Sequence, residues 1–213
     1  MEISGIIGIG AALTHTIAYL DYNKDVLKGT RKPNGSTWAI WSAIAILSAS
    51  SYFVIVGDWA KSILSLTNIA LCILTFIIAL WLKCFERPDK AERVALVLGL
   101  VAVGVWWWYQ SALYANLIIQ FAMAVDFIPT LRLIWNKPRS ERPRPWLIWT
   151  FGYVLLVITI TLRWRGQWYD LVYPVNCIVF HLAVALLAII RLKQQNRMVE
   201  AMIYVHEHGG PII

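Results

Sequence analysis

Charge is what this chain has least of. Asp, Glu, Lys and Arg make up 15% of its 213 residues and hydrophobic residues 59%, where a soluble domain carries about a quarter charged residues. Mean hydropathy is +0.62. That shortage excludes an ordinary water-soluble domain. Cysteine is scarce too. Cys72, Cys84 and Cys177 show no framework spacing and two fall inside apolar runs, so neither a disulfide scaffold nor a zinc site is expected. Strand-barrel alternation is missing, which leaves helices as the spanning element. The chain has no zinc-ligand helix motif, no paired intramembrane aspartates and no Gly-Xaa-Ser-Xaa-Gly elbow, so enzyme chemistry is not expected. His206 and His208 lack the further ligands a metal site needs, and no cofactor is expected.

What is present is a series of long apolar runs, seven of them, at about 3–21, 37–56, 61–82, 94–109, 112–134, 146–162 and 171–190. A helix needs about twenty such residues to cross a bilayer core. The first run has neither a preceding basic residue nor a small-residue cleavage site, and reads as a retained helix. Of the 19 Lys and Arg residues, 16 lie in 22–36, 83–93, 132–145 and the tail from 191; Lys61, Arg163 and Arg165 lie on the other side. Positive charge favours the cytoplasmic face, which puts the amino terminus outside and the tail inside. The basic balance therefore reports membrane orientation and not a nucleic-acid partner. The expected setting is the cytoplasmic membrane of a bacterium or archaeon, with the lipid bilayer as partner; assembly into a homo-oligomer stays open.

The runs repeat. At an offset of 108, Trp38-Ala-Ile-Trp41 falls on Trp146-Leu-Ile-Trp149, and Asn68 falls on Asn176. A long-period repeat decides architecture. The expectation is an all-α polytopic membrane protein with seven transmembrane helices, as two parallel three-helix bundles joined by a linker helix. The units are 1–83, an inner loop and linker helix over 84–110, a second repeat over 111–191, and a cytoplasmic tail over 192–213. The fourth run has no counterpart in the repeat, and gives both triplets the same orientation.

Polar residues inside the runs mark candidate functional positions, because an amide or ionisable group in hydrocarbon is costly without a partner. His15 and His181 lie near mid-membrane, and Asp126 is the most conspicuous charge in an apolar run. These are the proton or pathway candidates. Asn116, Gln120, Asp126 and Thr130 share about a third of one helix circumference. Pro129 and Pro174 are candidate hinges, Pro174 in the first turn of its helix. Ser36 or Thr37 is expected to cap the second helix. Trp38 and Trp41 are expected in an interfacial aromatic belt, with Trp106-Trp107-Trp108-Tyr109 as the outer anchor.

This layout resembles the sugar facilitators (SWEET) and PQ-loop transporters, which are built from parallel repeats with sites near the midplane. The resemblance covers nearly the whole chain in layout. Pro129-Thr130 stands where the group's proline motif lies, with Thr for the expected Gln; the first unit has Asp21-Tyr22 at the aligned positions. Asn68 and Asn176 match the asparagines that face substrate in the third helix of each unit. Tyr52 stands at the depth of the aromatic that stacks on the sugar, and its offset counterpart is Ile160. The resemblance implies a facilitator or proton-coupled carrier of a small polar solute such as a sugar, working by alternating access around a site between the repeats. Asn68, Asn176, Tyr52, Asn116 and Gln120 are then the substrate-binding candidates. Two alternatives share a related layout: a vitamin or nucleoside carrier resembling the nicotinamide riboside transporters, and a non-transporting receptor resembling the KDEL receptors.

Overall fold

The computed structural model describes residues 2–208, without the side chains at 201 and 205–208. Among them are seven helices: α1 (Ile3–Leu27), α2 (Gly35–Val56), α3 (Trp59–Trp81), α4 (Lys90–Tyr109), α5 (Ala112–Asn136), α6 (Pro143–Leu162) and α7 (Val172–His208). Each is long and apolar enough to cross a bilayer. The protein is an all-α, seven-span polytopic membrane protein.

Polar residues set the helix ends. Asp58 caps α3 by accepting from the backbone N–H groups of Ala60 and Lys61, and Ser111 caps α5 through Tyr114. Asn34 caps α2 through the Ser36 N–H, so the helix starts ahead of the expected Ser36 or Thr37 cap. Asp89 and Glu92 form a reciprocal capping box that starts α4 ahead of its apolar run. Two helices outrun their apolar segments. In α1 the extra turns carry Asp21 and Asp25, which pair with Arg144 and Arg142. Over the expected tail from 192, α7 continues to His208. The charged residues there favour helix even outside an apolar run.

The chain shuttles between two faces. The amino-terminal face carries Glu2, residues 57–58, 110–111 and 163–171; the basic face carries 28–34, 82–89 and 137–142. In the packing, α3 touches both α1 and α2, and α7 touches both α5 and α6. Across these groups α1 meets α6 and α2 meets α5, while α4 lies against α5 and α2. Gly8 permits the close approach of α1 to α3, since a Cβ there would sit 2.6 Å from the Ala60 carbonyl oxygen. Gly57 closes α2 in the left-handed region at φ 57°.

The tryptophans depart from the belt expectation. Trp38, Trp146 and Trp149 are buried and Trp41 half-buried, packed with Tyr19, Tyr22 and Phe127 into one core cluster. The rings meet edge-on or tilted, as in Trp38–Trp41 (5.1 Å) and Trp146–Trp149 (5.0 Å). Such pairs add roughly 0.5–1.5 kcal/mol beyond their burial. Four helices converge at this level, and only large side chains fill the space between them. Trp107, Trp108 and Tyr109 are exposed, as an interfacial anchor requires.

Candidate functional site

Two adjoining cavities lie between the helices. The central one has a volume of about 50 Å³, room for roughly three or four waters. Its walls come from α1 (Tyr19), α2 (Trp41, Ser48), α3 (Asn68, Cys72), α5 (Phe127), α6 (Trp149, Tyr153) and α7 (Tyr173, His181). Among the described residues α4 adds nothing to this lining, and no lining side chain is an acid, lysine or arginine. The second cavity is a vestibule of about 360 Å³ at the basic face, walled by Arg31, Lys32, Lys137, Arg139, Glu86 and Glu141 among others. Trp41 is the one described residue common to both linings.

Positions 108 apart recur together in both linings. Tyr19 and Phe127, Trp41 and Trp149, and Ala45 and Tyr153 line the central cavity. Tyr22 and Thr130, Arg31 and Arg139, and Trp38 and Trp146 line the vestibule. Each of these six pairs thus shares one lining, whereas Asn68 lines the central cavity without Asn176.

The predicted residues divide. Asn68 lines the central cavity. Its Oδ1 accepts from the Tyr19 hydroxyl at 2.7 Å and meets His15 Nε2 at 2.9 Å. That fixes the amide with its carbonyl engaged and its NH₂ as the group left for a ligand. His181 also lines the cavity, with Nδ1 donating to the Cys177 carbonyl at 2.7 Å; Nε2 is then the ring's remaining acceptor. His15 is buried behind the lining, boxed by Tyr19, Trp149 and Tyr153.

Asn176, Asn116, Gln120 and Tyr52 are outside the lining. Asn176 donates to the backbone and side-chain oxygens of Gln120 at 2.9 and 3.1 Å. Gln120 donates to Ser48 Oγ, and Asn116 donates to Ser51 Oγ and the Ser48 carbonyl. This amide ladder ties α2, α5 and α7 together. Tyr52 donates to the Asp170 carbonyl at 2.9 Å. Pro129 sits within an unbroken α5 and lines the vestibule; Pro174 is buried in the first turn of α7, outside both linings. Asp126 is fully buried, and neither carboxyl oxygen has a hydrogen-bond partner among the described residues.

The amino-terminal face is shut by charges that local sequence did not reveal as partners. Lys61 Nζ meets Asp170 Oδ2 at 2.6 Å with neither side chain exposed. Arg163 pairs with Asp58 at 2.8 Å and with Glu2 at 2.6 Å. Burial works against ionisation of Asp58, but the Arg163 hydrogen bond and the Lys61 and Ala60 N–H groups outweigh it and hold the carboxyl below its ordinary 3.8. At the basic face Arg31 meets Glu141 at 3.1 Å, Arg142 bonds Asp25 at 2.9 Å, and Trp146 Nε1 donates to Glu141. Burial pushes the Glu141 carboxyl up, with Arg31 and Trp146 opposing.

Among the described residues no group of three His, Cys, Asp or Glu side chains could hold a metal ion, and all three cysteines are free. The side chains of His206 and His208 are outside the described residues. No protein-family model, curated protein or solved structure matches the chain.

Proposed function

We propose that the protein is an alternating-access carrier of a small, uncharged, ring-bearing polar solute, built from two parallel three-helix repeats joined by α4. The amino-terminal face is outside and the basic face cytoplasmic. The packing supports the repeat: exchanging α1 with α5, α2 with α6 and α3 with α7 maps the contacts α1–α3, α2–α3 and α1–α6 onto α5–α7, α6–α7 and α2–α5, while the smaller α3–α6 contact has no such counterpart. Alternating access needs a site between two such units, closed at one side at a time. The sealed amino-terminal face and the open vestibule correspond to a state closed outward.

One observation carries the reading: a central cavity walled by six helices, with aromatic rings on most sides and no formal charge. Asn68 supplies its amide NH₂ and His181 an acceptor, so a neutral solute with both donors and acceptors is matched. The number of rings favours a flat heterocycle, as in a nucleoside or vitamin, over a sugar.

The test is ligand-dependent thermal stabilisation of the purified protein by nucleosides, vitamins, amino acids and sugars, followed by uptake into proteoliposomes. Asn68→Leu is expected to lower binding at least tenfold while membrane insertion is retained. Unchanged binding would reject the site, and binding without flux would return the receptor alternative.

A further inference from the structure

Two loops of the basic face bring donors to the vestibule in the same order. At the offset of 108, Arg31-Lys32 falls on Arg139-Ser140, and all four residues line this hollow. With Lys137 the lining holds four bases against two acids, Glu86 and Glu141. Glu86 draws off Lys32 at 3.8 Å. Lys137 and Arg139 meet no carboxylate at ion-pair distance among the described residues.

Arg31 is the buried member, 5% exposed, with its guanidinium over the Tyr22 ring at 4.3 Å. Its acidic neighbours are already engaged. Glu141 Oε2 stands 3.1 Å from Nη1 but accepts from the Trp146 indole. Asp25 Oδ2 is 4.0 Å away, and Oδ1 of the same carboxylate is held by Arg142. Neither terminal nitrogen of Arg31 completes a hydrogen bond among the described residues, and neither does the buried Ser140 hydroxyl. Buried donors without an acceptor are costly, and these lie in the wall of one hollow.

An anion would satisfy them, and the number of donors says which kind. A carboxylate has two oxygens, which a single arginine fork can fill. Two arginines, a lysine and a hydroxyl from separate loops exceed that and suit the three oxygens of a phosphate group.

We propose that the vestibule is a phosphate-binding site, for inorganic phosphate or the end of a phosphate ester. Arg31 and Arg139 form its clamp, Lys137 and Ser140 complete it, and Glu141 competes with the anion for Arg31. A soluble phosphate and the headgroup of an anionic phospholipid both carry this chemistry. The site is distinct from the central cavity and goes beyond the carrier reading, because its occupancy requires no flux.

The protein in phosphatidylcholine nanodiscs is titrated calorimetrically with inorganic phosphate, glycerol 3-phosphate and, as the carboxylate control, succinate. Both phosphates are expected to bind saturably, and succinate at least tenfold more weakly. Arg139 and Ser140 lie in a loop, so their variants test the site without disturbing a helix. Arg139→Gln should weaken phosphate binding about tenfold, Arg139→Lys less, and Ser140→Ala several-fold. Glu141→Gln keeps an acceptor for Trp146 and removes the competing charge, so it should tighten binding several-fold. Absence of saturable binding, or affinity unchanged by both Arg139→Gln and Ser140→Ala, overturns the site. Succinate bound as tightly as phosphate overturns the phosphate assignment.

The titration repeated in phosphatidylglycerol nanodiscs separates the two sources. Loss of phosphate affinity there assigns the site to a lipid headgroup, and retained affinity assigns it to a soluble phosphate. Phosphate binding with no solute for the Asn68 cavity would leave this site standing without the carrier. Asn68-dependent solute binding with no phosphate binding would do the reverse.

Discussion

Lys61 and Asp170 stand 109 positions apart and meet with no exposure at all. Two charges withdrawn from water are tolerated together far better than either alone. Lys61→Met should therefore cost about 3–5 kcal/mol of stability, read as a large loss of thermal midpoint. Lys61→Met combined with Asp170→Leu should recover most of it, because no charge is then left unpaired. Asp58 answers to pH. Its folded-state value is depressed below the ordinary 3.8, so the stability it contributes is present above that value and is lost as pH falls through the lower folded one. The thermal midpoint should fall as the medium is acidified below about pH 4, and Asp58→Asn should flatten that fall. Neither pairing was legible locally: Lys61 reads in sequence only as one of three bases on the outer side.

At the scale of the helix, spacing reveals which residues share a face but not what that face meets. Gly5, Gly8 and Gly10 look alike in sequence, as small residues that let helices approach. In the structure Gly8 abuts the Ala60 backbone, while a Cβ at Gly10 would meet nothing within 4 Å. Gly8→Ala should cost roughly 1–3 kcal/mol by forcing α1 from α3, and Gly10→Ala should be near neutral; thermal unfolding of both variants decides it. The tryptophans teach the same lesson. A Trp at the end of an apolar run reads as an interfacial anchor, which Trp107 and Trp108 support by their exposure. Trp38, Trp146 and Trp149 have the same local signature but face other helices and become core.

For the molecule as a whole, the proposed duplication rests in sequence on two tryptophan pairs and one asparagine pair. The sequence did not show that positions 108 apart recur in the lining of both cavities, down to Arg31 with Arg139. The proposed sidedness rests on the count of basic residues and has a direct test. A cysteine at Thr30, on the basic face, should react with an impermeant thiol reagent only after the membrane is opened, and one at Arg165 should react in intact cells. The opposite pattern would invert the orientation and with it the direction in which the vestibule opens.

Seven spans, an all-helical build and a basic face are properties of composition and run length, which act residue by residue and survive any change of neighbours. Which polar group faces the hollow is a property of packing. Asn68 and Asn176 are equivalent in sequence, yet Tyr19 and His15 hold the first at the cavity wall while Gln120 draws the second into a ladder between helices. A hydrogen bond goes to whichever partner three-dimensional proximity supplies, and only the folded chain sets that proximity.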